Sequence, residues 1–404
     1  MYDAIVVGAR CAGSPTAMLL ARKGYRVLLV DKTRFPSDAL STHYIHQSGT
    51  ARLQRWGLLE QVRRSNCPPV RELVLDLGPF ALRGTPPPVD GVAEAYAPRR
   101  TILDQIPVEA AVAAGAELRE QFTVEDLVTD GERVVGIRGH ALGGGRVTEH
   151  ARIVVGADGP RSLVARAVHA PTYYERPTFA CAYYTYWSGV QLAGAELYPR
   201  PGRMIIAGPT NDDTVVNIIY WPVAAFHQVR ADIEGNFHEA LDLVPGLAER
   251  LRSGRRSERF RGTADLRNFF RKPYGPGWAL VGDAGYHKDP ITAFGISDAF
   301  RDAELLIEAI DEGLSGRRPL EDALAEYERR RNEVAMPMYE LTCELATLQP
   351  PSTEKQQLFT ALRHDQEQTN RLFGAFTGSV PIPEFFAPDN ISRIMGAAPD
   401  GAVA

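Results

Sequence analysis

The opening residues, YDAIVVGARCAGSPTAMLLARKGYRVLLVDK (Tyr2 to Lys32), admit few folds. Asp3 to Gly8 is mostly β-branched or apolar and stops on glycine, the pattern of a buried parallel strand breaking into a tight turn. Ser14, Pro15 and Thr16 suit the first turn of a helix, Ala17, Leu19, Leu20 and Ala21 give it a sheet-facing stripe, and Lys23-Gly24 stops it. Arg26 to Val30 is a second apolar strand ending at Asp31. This is a βαβ unit with a carboxylate just past its second strand, placed to accept both ribose hydroxyls of an adenosine. Gly8 permits the turn, Gly13 lets helix and strand approach, and the first helical N–H groups point at a pyrophosphate. Arg10 replaces the middle glycine of GxGxxG, which sets the backbone back from the phosphates or sends the guanidinium over the cofactor's edge.

With 404 residues, 44% hydrophobic and 24% charged, the chain is long enough for two closely packed domains. A net charge of -5 and scattered arginine pairs exclude the basic stripe of a nucleic-acid partner. Cys11, Cys67, Cys181 and Cys343 show neither CxxC nor metal-ligand spacing, so no metal is expected and the thiols read as reduced. No apolar run approaches the roughly twenty residues of a membrane span, and no targeting segment precedes the first strand. The expected location is the cytoplasm, with no membrane partner.

His43, Tyr44 and His46 cluster in the loop after Asp31, which reads either as capping histidines or as a lining for the cofactor's ring face. Residues 66–97 carry short strand-like pieces of a second sheet, Arg99 onward returns to helix, and Asp130-Gly131 and Gly143-Gly144-Gly145 supply hairpin turns. Four β-rich runs between Ala170 and Pro222 predict an antiparallel sheet bearing Tyr183, Tyr184, Tyr186, Trp187, Tyr220 and Trp221. Phe226 to Leu251 reads as helix, Trp278 to Val281 as a strand, a long helix starts near Gly295, and Leu320 to about Leu348 is amphipathic. The remaining tail shows helices and prolines without evident chemistry.

GARCAG, GADGPRS and GDAGYHKDP each end a strand, and each can present backbone amides and a carboxylate at one sheet edge. In this order they resemble the FAD-binding fold of the para-hydroxybenzoate hydroxylase superfamily, from Tyr2 to about Gly313. GISDAFRDAELL looks most similar to the branch with geranylgeranyl reductases and single-component aromatic monooxygenases. The resemblance implies an α/β fold: a Rossmann-like FAD-binding domain of glutathione-reductase type (1–65, 98–169, 274–316), a mainly antiparallel β-sheet substrate domain (66–97, 170–273) and a C-terminal helical region (317–404).

It also implies roles. Gly8, Arg10, Cys11, Ala12, Gly13 and Ser14 would form the FAD pyrophosphate turn, and Asp31 with Lys32 would take the adenosine ribose. Arg100 would lie along the phosphates or ribityl chain, Asp158 and Gly159 would touch FAD, and Gly282 with Asp283 would bind the ribityl hydroxyls. Pro290, Gly295 and Ile296 would set a helix N-terminus near the isoalloxazine pyrimidine edge, where it stabilises negative charge on reduced flavin. Ala165 stands where the Asp-Gly motif carries arginine, and Ala293 where PxxGxG carries glycine.

The activity so implied is an NAD(P)H- and O2-dependent monooxygenase that hydroxylates or epoxidises an aromatic or polyketide-like molecule through a flavin C4a-hydroperoxide. His43, Tyr184, Tyr186, Tyr220, Trp221 and Phe294 are the candidate pocket residues. A geranylgeranyl-reductase-like enzyme, a flavin-dependent halogenase (whose WxWxIP signature is only echoed by Tyr220-Trp221-Pro222) and a non-catalytic flavin-binding protein stay open. So do a homodimer and a separate flavin reductase.

Overall fold

A computed structural model describes residues 1–396; the last eight residues of the expected C-terminal helical region lie outside the described part. Its first sheet is built on Tyr2–Val7, the strand read first from the sequence. This strand pairs in parallel with Val27–Val30 on one side and Arg146–Gly156 on the other, which in turn pairs in parallel with Trp278–Leu280. Glu117–Arg119 closes the far edge. Both faces are covered, which is why the strands read as unbroken apolar runs. Ala4, Val6, Leu29, Ile153 and Val155 pack against the helices Gly13–Arg22 and Gly295–Leu314. Ile5, Val7, Leu28, Val30 and Val154 pack instead under the meander of Phe122–Asp130, Arg133–Ala141 and Arg146–Gly156. Its two turns fall at Gly131 and Gly143–Gly145, as expected from their glycines.

The second sheet orders Arg255–Arg256, Ala180–Ser188, Thr214–Pro222, Arg203–Thr210, Ala195–Arg200, Leu73–Asp76 and Ala81–Gly84, with Arg261–Thr263 beside Ala180–Ser188. It is antiparallel except where Ala195–Arg200 meets Leu73–Asp76, because those two strands are joined by a long crossover rather than a hairpin. Side-chain alternation divides its aromatics. Cys181, Tyr183, Trp187, Ile219 and Trp221 face the helices around Phe237, Leu241 and Leu247, while Tyr184, Tyr186, Met204, Ile218 and Tyr220 face Ile291 and Leu348. Thr172–Arg176, outside the four runs read as strands, joins Asn268–Arg271 and Tyr286–His287 in a small third sheet.

The expected helix over 226–251 is three: Phe226–Ala231, Ile233–Asp242 and Pro245–Ser253. Asp232 leaves helical geometry to cap Gly235 N–H, and Pro245 can only start a helix at this point. Leu320–Ala346 runs unbroken through Pro337, and four shorter helices follow it up to Gly396.

The first crossover depends on a missing side chain. A Cβ on Gly13 would stand 1.7 Å from the Gly8 carbonyl oxygen, so helix and strand can meet only through glycine. Gly13→Ala is expected to cost about 3 kcal/mol by forcing the two apart, read as a lower midpoint in urea unfolding; an unchanged midpoint would contradict the contact.

Candidate cofactor cradle and cavity

Three loops meet at the carboxyl ends of the parallel strands. Gly8 has φ +100°, and a Cβ there would lie 2.5 Å from the carbonyl oxygen of Ala157 in the second motif loop. Gly282, in the third, has φ +60°, and its Cβ would reach 2.7 Å from that of Ala12. The three motif loops thus come into direct contact. In the first helical turn Ser14 N–H donates to the Arg10 carbonyl at 3.0 Å, Thr16 N–H to that of Ala12 at 3.3 Å and Pro15 has no N–H, so the amides facing the loops are those of Gly13 and the turn before it. Asp31 closes the turn: Ala9 N–H donates to its Oδ2 at 2.7 Å, and Thr33 donates N–H and Oγ1–H to Oδ1 at 2.8 and 2.6 Å. Lys32 beside it is exposed.

Arg10 does not reach over the glycine turn. Its guanidinium donates to Asp104 at 2.5 Å and to Ser37 Oγ at 2.9 Å, and lies over the Phe35 ring. Arg100 donates to the other oxygen of Asp104 at 2.9 and 2.8 Å, and Cys11 Sγ–H donates to the same atom at 3.2 Å. Asp104 is fully buried and bridges two arginines, a feature that no motif in the sequence announces. Desolvation pushes the Cys11 thiol well above its usual range. Leu163 N–H donates to Asp158 Oδ2 at 2.6 Å, while Oδ1 is buried without a partner, and burial raises this carboxyl. Ala165 is buried in the short helix that follows, and Arg166 is turned back onto the Arg161 carbonyl.

The third loop runs from Asp283 through Pro290–Thr292 to Gly295, where the long helix begins. Ala293 is left-handed, φ 56°, in the conformation glycine takes without strain. Gly295 has no heavy atom within 4 Å of an added Cβ, so its side of the loop is open. Below it Lys288 pairs with buried Asp298, which also accepts from Arg301 at 2.6 Å. Burial opposes the Asp298 charge, but Arg301 and Lys288 outweigh it and lower the carboxyl to about 2. Glycine cradle, Asp31, Asp283 and open helix N-terminus together fit FAD: the glycine-turn amides would hold its phosphates, and the group would supply its redox chemistry beside the third loop.

Beside this loop lies a cavity of about 730 Å³. Pro290 to Ala293 form one wall; the second sheet supplies Leu73, Leu75, Leu197, Met204, Ile206, Val216 and Ile218; the C-terminal helices supply Leu341, Leu345, Leu358, Phe359, Phe373 and Phe376. The expected pocket residues are not among them. Trp221 and its neighbour Tyr183 are packed under the helices against Phe237, since odd positions of that strand point away from the cavity. Tyr184 and Tyr220 are on the cavity's face of the sheet but end in buried hydroxyls without partners. His43 is buried, bonded through Nε2 to the Tyr186 hydroxyl, and desolvation followed by Arg100 and Arg99 lowers it to about 3. Phe294 stacks on His46 at 4.3 Å. Three residues of the His43 loop, Thr42, Tyr44 and His46, line the cavity instead. The C-terminal contribution was recoverable: Leu341 and Leu345 are one helical turn apart, as are Phe359 and Arg363.

Asp289 precedes Pro290 and is 1% exposed; its Oδ1 accepts Ile291 N–H at 3.0 Å and its Oδ2 has no partner. Burial raises it to about 7. The folded protein therefore holds this proton more tightly than the unfolded chain, and stability present below about pH 4 is lost as pH rises through about 7. Asp289→Asn keeps an acceptor and removes the charge. Its melting temperature should pull ahead of wild type between about pH 5 and pH 8, by the equivalent of about 2 kcal/mol; a gap constant with pH would contradict the assignment.

A family model described as FAD binding domain matches residues 1–342. The digeranylgeranylglycerophospholipid reductase of Methanosarcina acetivorans is 27% identical over 82% of this chain and 81% of the reductase. The kynurenine 3-monooxygenase of Salinispora arenicola is 27% identical over 81% of this chain and 75% of that enzyme. The solved structure of the myxobacterial chondrochloren halogenase CndH shares the fold, with TM-score 0.79 at 22% identity, covering 98% of this chain and 96% of the halogenase. The protein belongs to the FAD-binding-domain family, within the para-hydroxybenzoate hydroxylase and geranylgeranyl reductase superfamily of FAD-dependent oxidoreductases.

Proposed function

We propose that the protein is an FAD-dependent monooxygenase that hydroxylates or epoxidises an aromatic or polyketide-like small molecule, using NAD(P)H and O2. The observation that carries this reading is the apolar cavity of about 730 Å³ sharing a wall with the Pro290–Ala293 loop. That volume suits a drug-sized ligand. When bound, FAD supplies the two-electron and oxygen chemistry. The chain's part is to hold the ligand beside the third loop, exclude water with leucine, isoleucine and phenylalanine walls, and offer the first-turn amides of Gly295 and Ile296 to developing negative charge.

A second reading, a reductase of isoprenoid double bonds, is favoured by the same walls, since Leu73, Leu75, Leu197, Phe359 and Phe376 would suit a prenyl chain. The reductase relative of Methanosarcina supports it equally in sequence.

An anaerobic titration separates them. NADH or NADPH should bleach the oxidised flavin band, a fitting aromatic should accelerate bleaching, and air should restore the band with oxygen uptake and an oxygenated product. Saturation of a geranylgeranyl compound without oxygen would favour the reductase. Bleaching by dithionite but by neither nicotinamide would mean that electrons come from a separate reductase, as for a halogenase. Flavin that turns over no substrate would leave a binding protein.

A further inference from the structure

Arg200, Arg203, Glu344, Lys355 and Arg363 are the acidic and basic residues of the cavity wall. Four of them are committed elsewhere. The alternation that aims Leu197, Met204 and Ile206 into the cavity sends the side chains of Arg200 and Arg203 through to the opposite face of the sheet. There the Arg200 guanidinium meets Asp76 at 2.7 Å and the Leu243 carbonyl at 3.1 Å, and that of Arg203 lies over Trp221. Glu344 and Lys355 pair with each other between two C-terminal helices.

Arg363 is the exception. It follows the last turn of the helix Thr353–Leu362, whose Gln356, Phe359 and Thr360 line the same wall one and two turns earlier. Its guanidinium lies over the Phe80 ring, 4.6 Å from the centroid, so helix and hairpin turn meet at an exposed mouth of the cavity. Among the described residues it has neither a carboxylate partner nor a side-chain hydrogen bond. The nearest acid in sequence, Asp365, accepts Gln368 N–H at 2.9 Å and caps the next helix. The polar groups beside Arg363 are also taken: Gln356 Nε2–H donates to the Pro351 carbonyl at 2.8 Å, and the Thr360 hydroxyl to that of Gln356 at 2.9 Å. A stacked guanidinium keeps its in-plane N–H groups clear of the ring, and that fork matches the paired oxygens of a carboxylate or a phosphate. Behind it the wall turns apolar, with Leu75, Leu77, Leu197 and Phe359.

We propose that Arg363 is the specificity-determining cation of the cavity: it takes an anionic group, a carboxylate or a phosphate monoester, at the mouth, while the apolar body of the same molecule fills the interior. This rests on the cavity being the substrate site and adds a charge to the substrate class.

The test is a fluorescence titration of the FAD-loaded full chain with 1-pyrenebutyrate and its neutral counterpart 1-pyrenebutanol, giving the ratio of their dissociation constants. The carboxylate should bind about fivefold tighter at low salt, a preference that shrinks as NaCl is raised. Arg363→Gln should bring the ratio to about one with the alcohol's affinity unchanged, and Arg363→Lys, which keeps the charge and loses the fork, should retain part of the preference. Leu197→Trp, or Ile206→Phe should the first not fold, fills the interior and should weaken both ligands alike. An unchanged ratio in Arg363→Gln, with both ligands weakened by the filling variant, overturns the role of Arg363 and leaves the cavity reading standing. Ligands indifferent to the filling variant overturn the cavity as the binding site, and this proposal with it. Competition then finds the anion's source: displacement of the probe by 2-naphthoate points to an aromatic acid and by geranylgeranyl phosphate to an isoprenoid. Either effect should weaken in Arg363→Gln; displacement insensitive to that variant overturns the assignment.

Discussion

Everything in the molecule hangs on the glycine contacts where three loops leave the parallel sheet. Gly13 against the Gly8 carbonyl closes the first turn, while Gly8 against Ala157 and Gly282 against Ala12 bring together segments separated by more than a hundred residues. The pairing of Val7 with Val30 and Gly156, and of Gly156 with Leu280, ends these strands at one level. Side chains larger than hydrogen at the contacts would separate the loops, and the amide-lined cradle would not exist. Covered faces follow from the same geometry, because a parallel sheet must be buried on both sides.

Arginine enters this backbone site by being neutralised. Arg10 and Arg100 converge on Asp104, and Lys288 and Arg301 on Asp298, so each of these four cationic side chains has a carboxylate partner. Removing one partner of such a buried pair leaves the other uncompensated. The pairs therefore hold the loops in place as much as they set charge near a bound anion.

The cradle was legible in the sequence because its signals are local. A strand ending on glycine, a small-residue turn and an acidic residue after the next strand all fall within a single βαβ unit. The cavity was not, because its walls come from five distant parts of the chain. Aromatic residues in Ala180–Ser188 and Thr214–Pro222 drew attention to a pocket, but a strand's two faces cannot be told apart when both are apolar, as at Tyr220 and Trp221. His43 and Tyr44 pose the same problem in a loop: neighbours in sequence, they serve opposite sides of it. Asp104 sits in an ordinary helical stretch, and only the fold brings Arg10 to it.

The wall formed between Leu341 and Phe386 shares few residues with the glycine contacts that form the cradle. Changes among those C-terminal side chains alter the shape offered to a ligand while the loop contacts under the cofactor persist. The architecture is in this sense modular: in the proposed reading, side chains between Leu341 and Phe386 are a replaceable mould, and changing them leaves untouched the contacts among the three motif loops.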